Sequence, residues 1–142
     1  MMRTYPDRPW LGVGGVAIEG DRVLLVRRGN EPFLGFWSIP GGIVETGETL
    51  ADAVRREMRE ETGLLVEPIE VVHVFESIRP DKSGGIAFHF VVIDYVCRVV
   101  GGQLAAADDV LDAQWFQRGK LPEPITDGAP SVIEKAFGSL DG

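Results

Sequence analysis

The run Leu11 to Ile18, LGVGGVAI, is small and apolar throughout, which predicts a strand buried on both faces. Glu19-Gly20-Asp21 follows as a tight turn, and Arg22 to Arg27 returns as its hairpin partner. Residues 29–36 carry Gly, Asn and Pro and read as a loop, before Trp37 to Pro40 as a short strand. The period then changes. At roughly 100° per residue, Leu50, Ala51, Val54 and Met58 share one face. Thr49 with Asp52 opens a capping box, and Gly63 sits where a left-handed cap belongs, so the helix spans Leu50 to Thr62. Val66 to Ile78 and Ile86 to Val99 are β-branched runs joined through residues 79–85, a second hairpin. Ala113 to Gln117 makes a final strand, and Ile133, Ala136, Phe137 and Leu140 keep helical spacing across Gly138. Residues 1–9, with Pro6 and Pro9, are an extended lead-in. Strands, helix, strands, helix give an α/β chain: an α/β/α sandwich with a mixed, largely antiparallel sheet, one domain over 1–142.

The first helix carries more than a core face. Asp52, Arg55 and Arg59 point opposite the apolar stripe, as solvated residues should. Glu57, Glu60 and Glu61 instead fall within an arc of about 100° that overlaps the apolar edge. Three like charges at this spacing repel one another, and placing them beside the core adds a desolvation cost. A hard divalent cation removes both penalties, since Mg²⁺ takes oxygen ligands in an octahedron. Pro40-Gly41-Gly42, read as a turn, stands just before this segment, where bare backbone lets an oxygen approach an ion.

Composition narrows the class. A chain of 142 residues, 44% hydrophobic and 25% charged, supports one core. The net charge of −8 argues against nucleic acid or an anionic membrane as partner. The lone cysteine, Cys97, lies in an apolar run as a small hydrophobe and fits a reducing, cytoplasmic setting. No apolar run is long enough to span a bilayer, and no signal peptide is predicted.

Spelled out, GIVETGETLADAVRREMREETGL places Gly42, Glu48, Arg56-Glu57, Glu60-Glu61 and Gly63 at fixed spacing, with Met58 and Leu64 at two aliphatic positions. This resembles the box of the Nudix hydrolases, which cleave a nucleoside diphosphate linked to another group. The resemblance implies the Nudix fold over nearly the whole chain and a small-molecule nucleotide as substrate. It implies Mg²⁺ (or Mn²⁺) held by Glu57, Glu60, Glu61 and the carbonyl of Gly41 or Gly42. Arg56, paired with Glu48, would orient a box glutamate. The metal would neutralise the leaving phosphate and lower the pKa of an attacking water, and a carboxylate would take the proton. Glu57 is the first candidate base. Asp108, Asp109 and Asp112, before the last strand, are candidates for a late-loop acid.

Strand alternation lets only one of Arg27 and Arg28 enter the cleft, and Arg28 matches a phosphate-side Arg of related enzymes. Phe33, Trp37 and Phe75 are candidates to stack on a base, whereas Trp10, Trp115 and Phe116 look like core. Pro80, sixteen positions beyond Leu64, lies close to a proline characteristic of ADP-ribose-cleaving members. GFWSIPGG and PITDGAPSVIEKAF are similar to small members of that kind. The expected reaction is therefore pyrophosphate hydrolysis in ADP-ribose. The alternatives are a nucleoside triphosphate pyrophosphatase that clears 8-oxo-dGTP-type nucleotides and, less favoured, a non-catalytic nucleotide sensor. The resemblance admits a homodimer.

Overall fold

In the computed structural model, which describes residues 3–141, the elements run β1 (Trp10–Glu19), β2 (Arg22–Arg28), β3 (Trp37–Ser38), β4 (Gly41–Ile43), α1 (Leu50–Thr62), β5 (Leu64–Pro80), β6 (Ile86–Gly102), β7 (Val110–Gln117) and α2 (Ala129–Asp141). The strands form one sheet in the order β3-β2-β1-β6-β5, with β4 paired to β1 and β7 to β2. Every strand pair is antiparallel except β1 with β6, which run parallel from Trp10–Phe90 to Ile18–Arg98. One helix covers each face, so the expected mixed sandwich is what forms.

Alternation along β1 sorts its residues between two cores. Val13 and Ala17 pack with Ala53, Val54 and Met58 under α1. Val16 and Ile18 pack with Val132, Ile133 and Ala136 under α2. Gly15 sets how close α1 can lie: a Cβ there would stand 2.8 Å from the Met58 sulfur. Met58 is sealed in the interior, and its truncation to Ala belongs to the ~2–5 kcal/mol class.

α1 begins and ends where the residue types dictate. The Thr49 hydroxyl accepts from Asp52 N–H at 3.1 Å, and Gly63 takes a left-handed φ of 76° while its N–H returns to the Arg59 carbonyl. Thr62, fully buried, donates to the Met58 carbonyl and accepts from Leu64 N–H, which carries the chain from helix into β5.

Two expectations need correction. Pro40-Gly41-Gly42 is not a turn: Gly41–Ile43 is a strand, paired with β1 as Gly14–Gly41, Val13–Gly42 and Gly12–Ile43. The β5–β6 hairpin is also longer than the apolar runs suggested, 17 residues in each strand, because Arg79, Pro80, Gly101 and Gly102 remain in the ladder.

Candidate active site

Arg56 is the hub. Its side chain is 17% exposed and Glu48's is 14%, so the pair is buried well beyond a surface ion pair. Arg56 Nε donates to Glu48 Oε2 at 2.7 Å and Nη2 to Glu48 Oε1 at 3.0 Å, a two-pronged grip. Nη2 also donates to the Ile43 carbonyl, which ties α1 to β4, and Nη1 donates to Glu57 at 2.8 Å and Glu60 at 3.3 Å. Glu48 in turn accepts from Glu45 N–H, and these bonds hold its acid below its ordinary value.

Across from the guanidinium, Glu57 and Glu61 face β4. The Glu57 carboxyl lies where a side chain on Gly42 would start, 2.5 Å from that Cβ position. Glu61 Oε1 accepts from Gly41 N–H at 3.0 Å. Burial, then the charge of Glu57, pushes the Glu61 acid up to about 8, with Asp108 adding to the shift and Arg28 opposing it. Burial also raises Glu57, against the pull of Arg56 and with Glu60 and Asp108 adding repulsion. This donor set fits a hard divalent cation: partly desolvated carboxylates repel one another beside a glycine strand, and the one guanidinium that bonds them, Arg56, is shared among Glu48, Glu57 and Glu60. Among the described residues no three His, Cys, Asp or Glu side chains are grouped closely enough to hold a metal ion as they stand.

The remaining candidates divide. Arg28 donates to the Pro32 carbonyl at 2.8 Å, and its charge reaches Glu61, whereas Arg27 is spent on the Gly35 carbonyl at 3.0 Å. Of the late acids, Asp108 is the one whose charge acts on Glu57 and Glu61; it sits at φ 58°. Asp112 is turned into its own strand, bonding Ala113 N–H and the Gln114 amide, and is not aimed at the site. Asp109 contributes its backbone carbonyl, which takes the Gly29 N–H.

Among the aromatics, Trp37 is half-buried against the core under α2: its ring meets Phe116 edge-on at 4.9 Å, and Pro124 and Thr126 bond its backbone. Phe33, at φ 65°, lies under the Arg79 guanidinium at 4.9 Å, and Phe75 stacks on His73 at 6.0 Å. Neither ring is among the residues around Glu57. Pro80 ends β5 at the hairpin tip. Trp10, read as core, is not: it lines a cavity of about 440 Å³ with Ile43, Thr46, Arg56 and Glu57, and its indole Nε1 is sealed without a partner. Its place just before the predicted strand was the available signal.

The structure sets a carboxylate-edged helix against a glycine strand, inside a helix-flanked mixed sheet. Residues 8–136 match the family model described as the NUDIX domain, and the chain belongs to that family. It is 38% identical over 115 residues to an ADP-ribose pyrophosphatase of Methanocaldococcus jannaschii, covering 81% of this chain and 66% of that one. It is 34% identical over 111 residues to a Mus musculus 8-oxo-dGDP phosphatase, covering 75% of this chain and 32% of the relative. The chain thus spans just under two thirds of the first relative and about a third of the second. The crystal structure of a MutT NUDIX hydrolase from Burkholderia pseudomallei superposes with a TM-score of 0.79 at 29% identity, over 91% of this chain and 98% of that one.

Proposed function

We propose that the protein is a divalent-metal-dependent pyrophosphohydrolase acting on a nucleoside diphosphate linked to a sugar, with ADP-ribose as the first substrate. The observation that carries this is the strained charge at Glu57 and Glu61: two acids raised by burial and mutual repulsion, facing backbone that only glycine permits. Glu57, Glu60, Glu61 and a carbonyl of Gly41 or Gly42 would hold Mg²⁺ or Mn²⁺. The ion supplies charge neutralisation at the bridging pyrophosphate and activation of the attacking water. Glu57 takes the proton, and Arg56, fixed by Glu48, sets the position of Glu57. Water adds to one phosphorus as the P–O–P bond breaks, giving AMP and ribose 5-phosphate. Asp108 serves as the late-loop acid, and Arg28 steadies the phosphates.

The name of the M. jannaschii relative supports the ADP-ribose reading, and that of the mouse relative supports a second: removal of oxidised purine nucleotides. Among the described residues no helix is long and apolar enough to cross a membrane. Buried Cys97, its thiol pushed up to about 12 by desolvation, is compatible with a reducing cytoplasm.

The test is turnover of a panel, ADP-ribose, 8-oxo-dGDP and the deoxynucleoside triphosphates, with Mg²⁺. ADP-ribose is expected to give AMP and ribose 5-phosphate at the highest kcat/KM. Much faster turnover of the triphosphates overturns the substrate assignment. A sensor would keep ligand binding and function in Glu57→Gln, whereas the enzyme loses turnover.

A further inference from the structure

The sheet face beneath α2 continues past the helix onto the outer half of the β5–β6 hairpin. Val96 packs under α2, and alternation along β6 puts Phe88, Phe90, Val92 and Asp94 on the same side. Opposite them in register stand Arg79, Ser77, Phe75 and His73 of β5. Ring contacts agree with that assignment: Phe88 and Phe90 stack at 6.4 Å, His73 and Phe75 at 6.0 Å, and Arg79 reaches Phe33 of the loop after β2. An aromatic floor therefore runs along the hairpin, bounded by that loop.

Asp94 sits at the inner end of this floor, 3% exposed. Gly14 makes its space, since a Cβ on Gly14 would overlap the Asp94 carboxyl. Among the described residues nothing donates a hydrogen bond to it, and burial alone pushes its acid up to about 6. His73, directly across on β5, is turned instead to Lys135 of α2, Nδ1 to Nζ 2.9 Å. Buried polar side chains in native proteins are nearly always bonded, so a buried carboxyl without a donor from the chain points to a partner from outside it. Its strand neighbours Val92, Ile93 and Val96 show what packing alone selects here.

The separation from the reaction centre is that of one nucleoside. Gly41 lies opposite Gly14, and Gly14 opposite Asp94, so Asp94 stands two strand spacings from the Gly41 backbone, about 10 Å. An aromatic floor with one buried acceptor at its end is the chemistry that recognises a base: rings stack on its face, and a carboxyl meets a donor on its edge.

We infer that Asp94 is a specificity residue, accepting a hydrogen bond from the exocyclic amino group of a purine that lies on the Phe75–Phe90 floor. This rests on the nucleotide reading of the Glu57–Glu61 site. It selects an amino-purine over its oxo counterpart, which presents an acceptor at that place and leaves the carboxyl unpaired.

Calorimetric titration of AMP, IMP and ribose 5-phosphate into wild type, Asp94→Val and Asp94→Asn, with Mg²⁺ present, tests the assignment without requiring turnover. Wild type is expected to favour AMP over IMP by about tenfold or more, the worth of one bond to a carboxylate. Asp94→Val erases that preference and leaves ribose 5-phosphate unchanged, while Asp94→Asn, which keeps an acceptor oxygen, retains most of it. Thermal unfolding should show Asp94→Val at least as stable as wild type, since it removes an unpaired buried acid. Three outcomes overturn the inference: no AMP preference in wild type, an unchanged AMP/IMP ratio in Asp94→Val, or an equal loss of ribose 5-phosphate affinity, which moves the contact to the sugar. Failure of wild type to cleave ADP-ribose while the AMP preference persists sinks the substrate reading alone.

Discussion

Gly41 and Gly42 are neighbours in β4 but exclude a side chain for different reasons. A Cβ on Gly41 would overlap the Val13 carbonyl of β1, fixed backbone that cannot give way, whereas one on Gly42 would meet the Glu57 carboxyl at 2.5 Å. Gly41→Ala should therefore destabilise the fold by about 1–3 kcal/mol, read as a lowered Tm. Gly42→Ala should unfold near the wild-type temperature yet lose most of its turnover, because the displaced group is the candidate base. If both variants lose Tm alike, Glu57 is not what Gly42 accommodates. Glu57→Gln keeps the shape of the side chain and its contact with Arg56 but removes the proton acceptor. A fall in kcat of about 10²–10⁴ with KM little changed is expected; kcat within tenfold of wild type would assign the base elsewhere, with Asp108 next.

The elements differ in how local their causes are, and that decides what could be read from the chain alone. α1 was legible to the residue because cap, stripe and left-handed glycine all lie within it. β4 was not: three residues with two glycines have no strand signature, and only pairing with β1, some thirty residues earlier, makes them extended. Trp37 and Asp112 depend on the sheet in the same way, since a ring or a carboxylate near the site in sequence meets Phe116 or bonds its own strand once the sheet closes. Asp94 left one signal, an ionisable residue inside FHFVVIDYVC, whose meaning depends on which face it occupies. The grip of Glu48 on Arg56, which the resemblance to the Nudix box implied, has an element-scale consequence: Arg56 ties α1 to the Ile43 carbonyl of β4. Glu48→Ala leaves Arg56, which already bonds Glu57 and Glu60, free to hold those carboxylates more closely in competition with the ion. Metal activation should then need 10–100-fold more Mg²⁺, measured by titrating the ion against initial rate, while kcat at saturation recovers in part. An unshifted Mg²⁺ requirement would reduce the pair to a structural contact.

At the scale of the whole molecule, a chain of net charge −8 gathers buried acids at one helix edge, which on the proposed function costs the metal-free fold stability there. Glu61 holds its proton up to about pH 8 in the folded state, against an ordinary value of 4.5 when the chain is unfolded. The folded state thus binds that proton more tightly, and the resulting stability is complete below pH 4.5 and lost as pH rises toward 8. Asp94 behaves likewise over a lower window, from 3.8 to about 6. Glu48 is shifted the opposite way, so its contribution is lost only in acid, below its ordinary 4.5, and leaves the span from pH 6 to 8 to Glu61. Metal-free protein should accordingly melt at a lower temperature at pH 8 than at pH 6. Mg²⁺ replaces the proton, so its stabilising effect should be larger at pH 8. Calorimetric scans with chelator and with Mg²⁺ at the two pH values measure both differences. Glu61→Gln, neutral throughout, should flatten the metal-free pH dependence and forfeit most of the Mg²⁺ gain. A metal-free Tm that does not fall between pH 6 and 8 would mean that Glu61 is ionised without a cation, and that the repulsion with Glu57 is relieved by the protein itself.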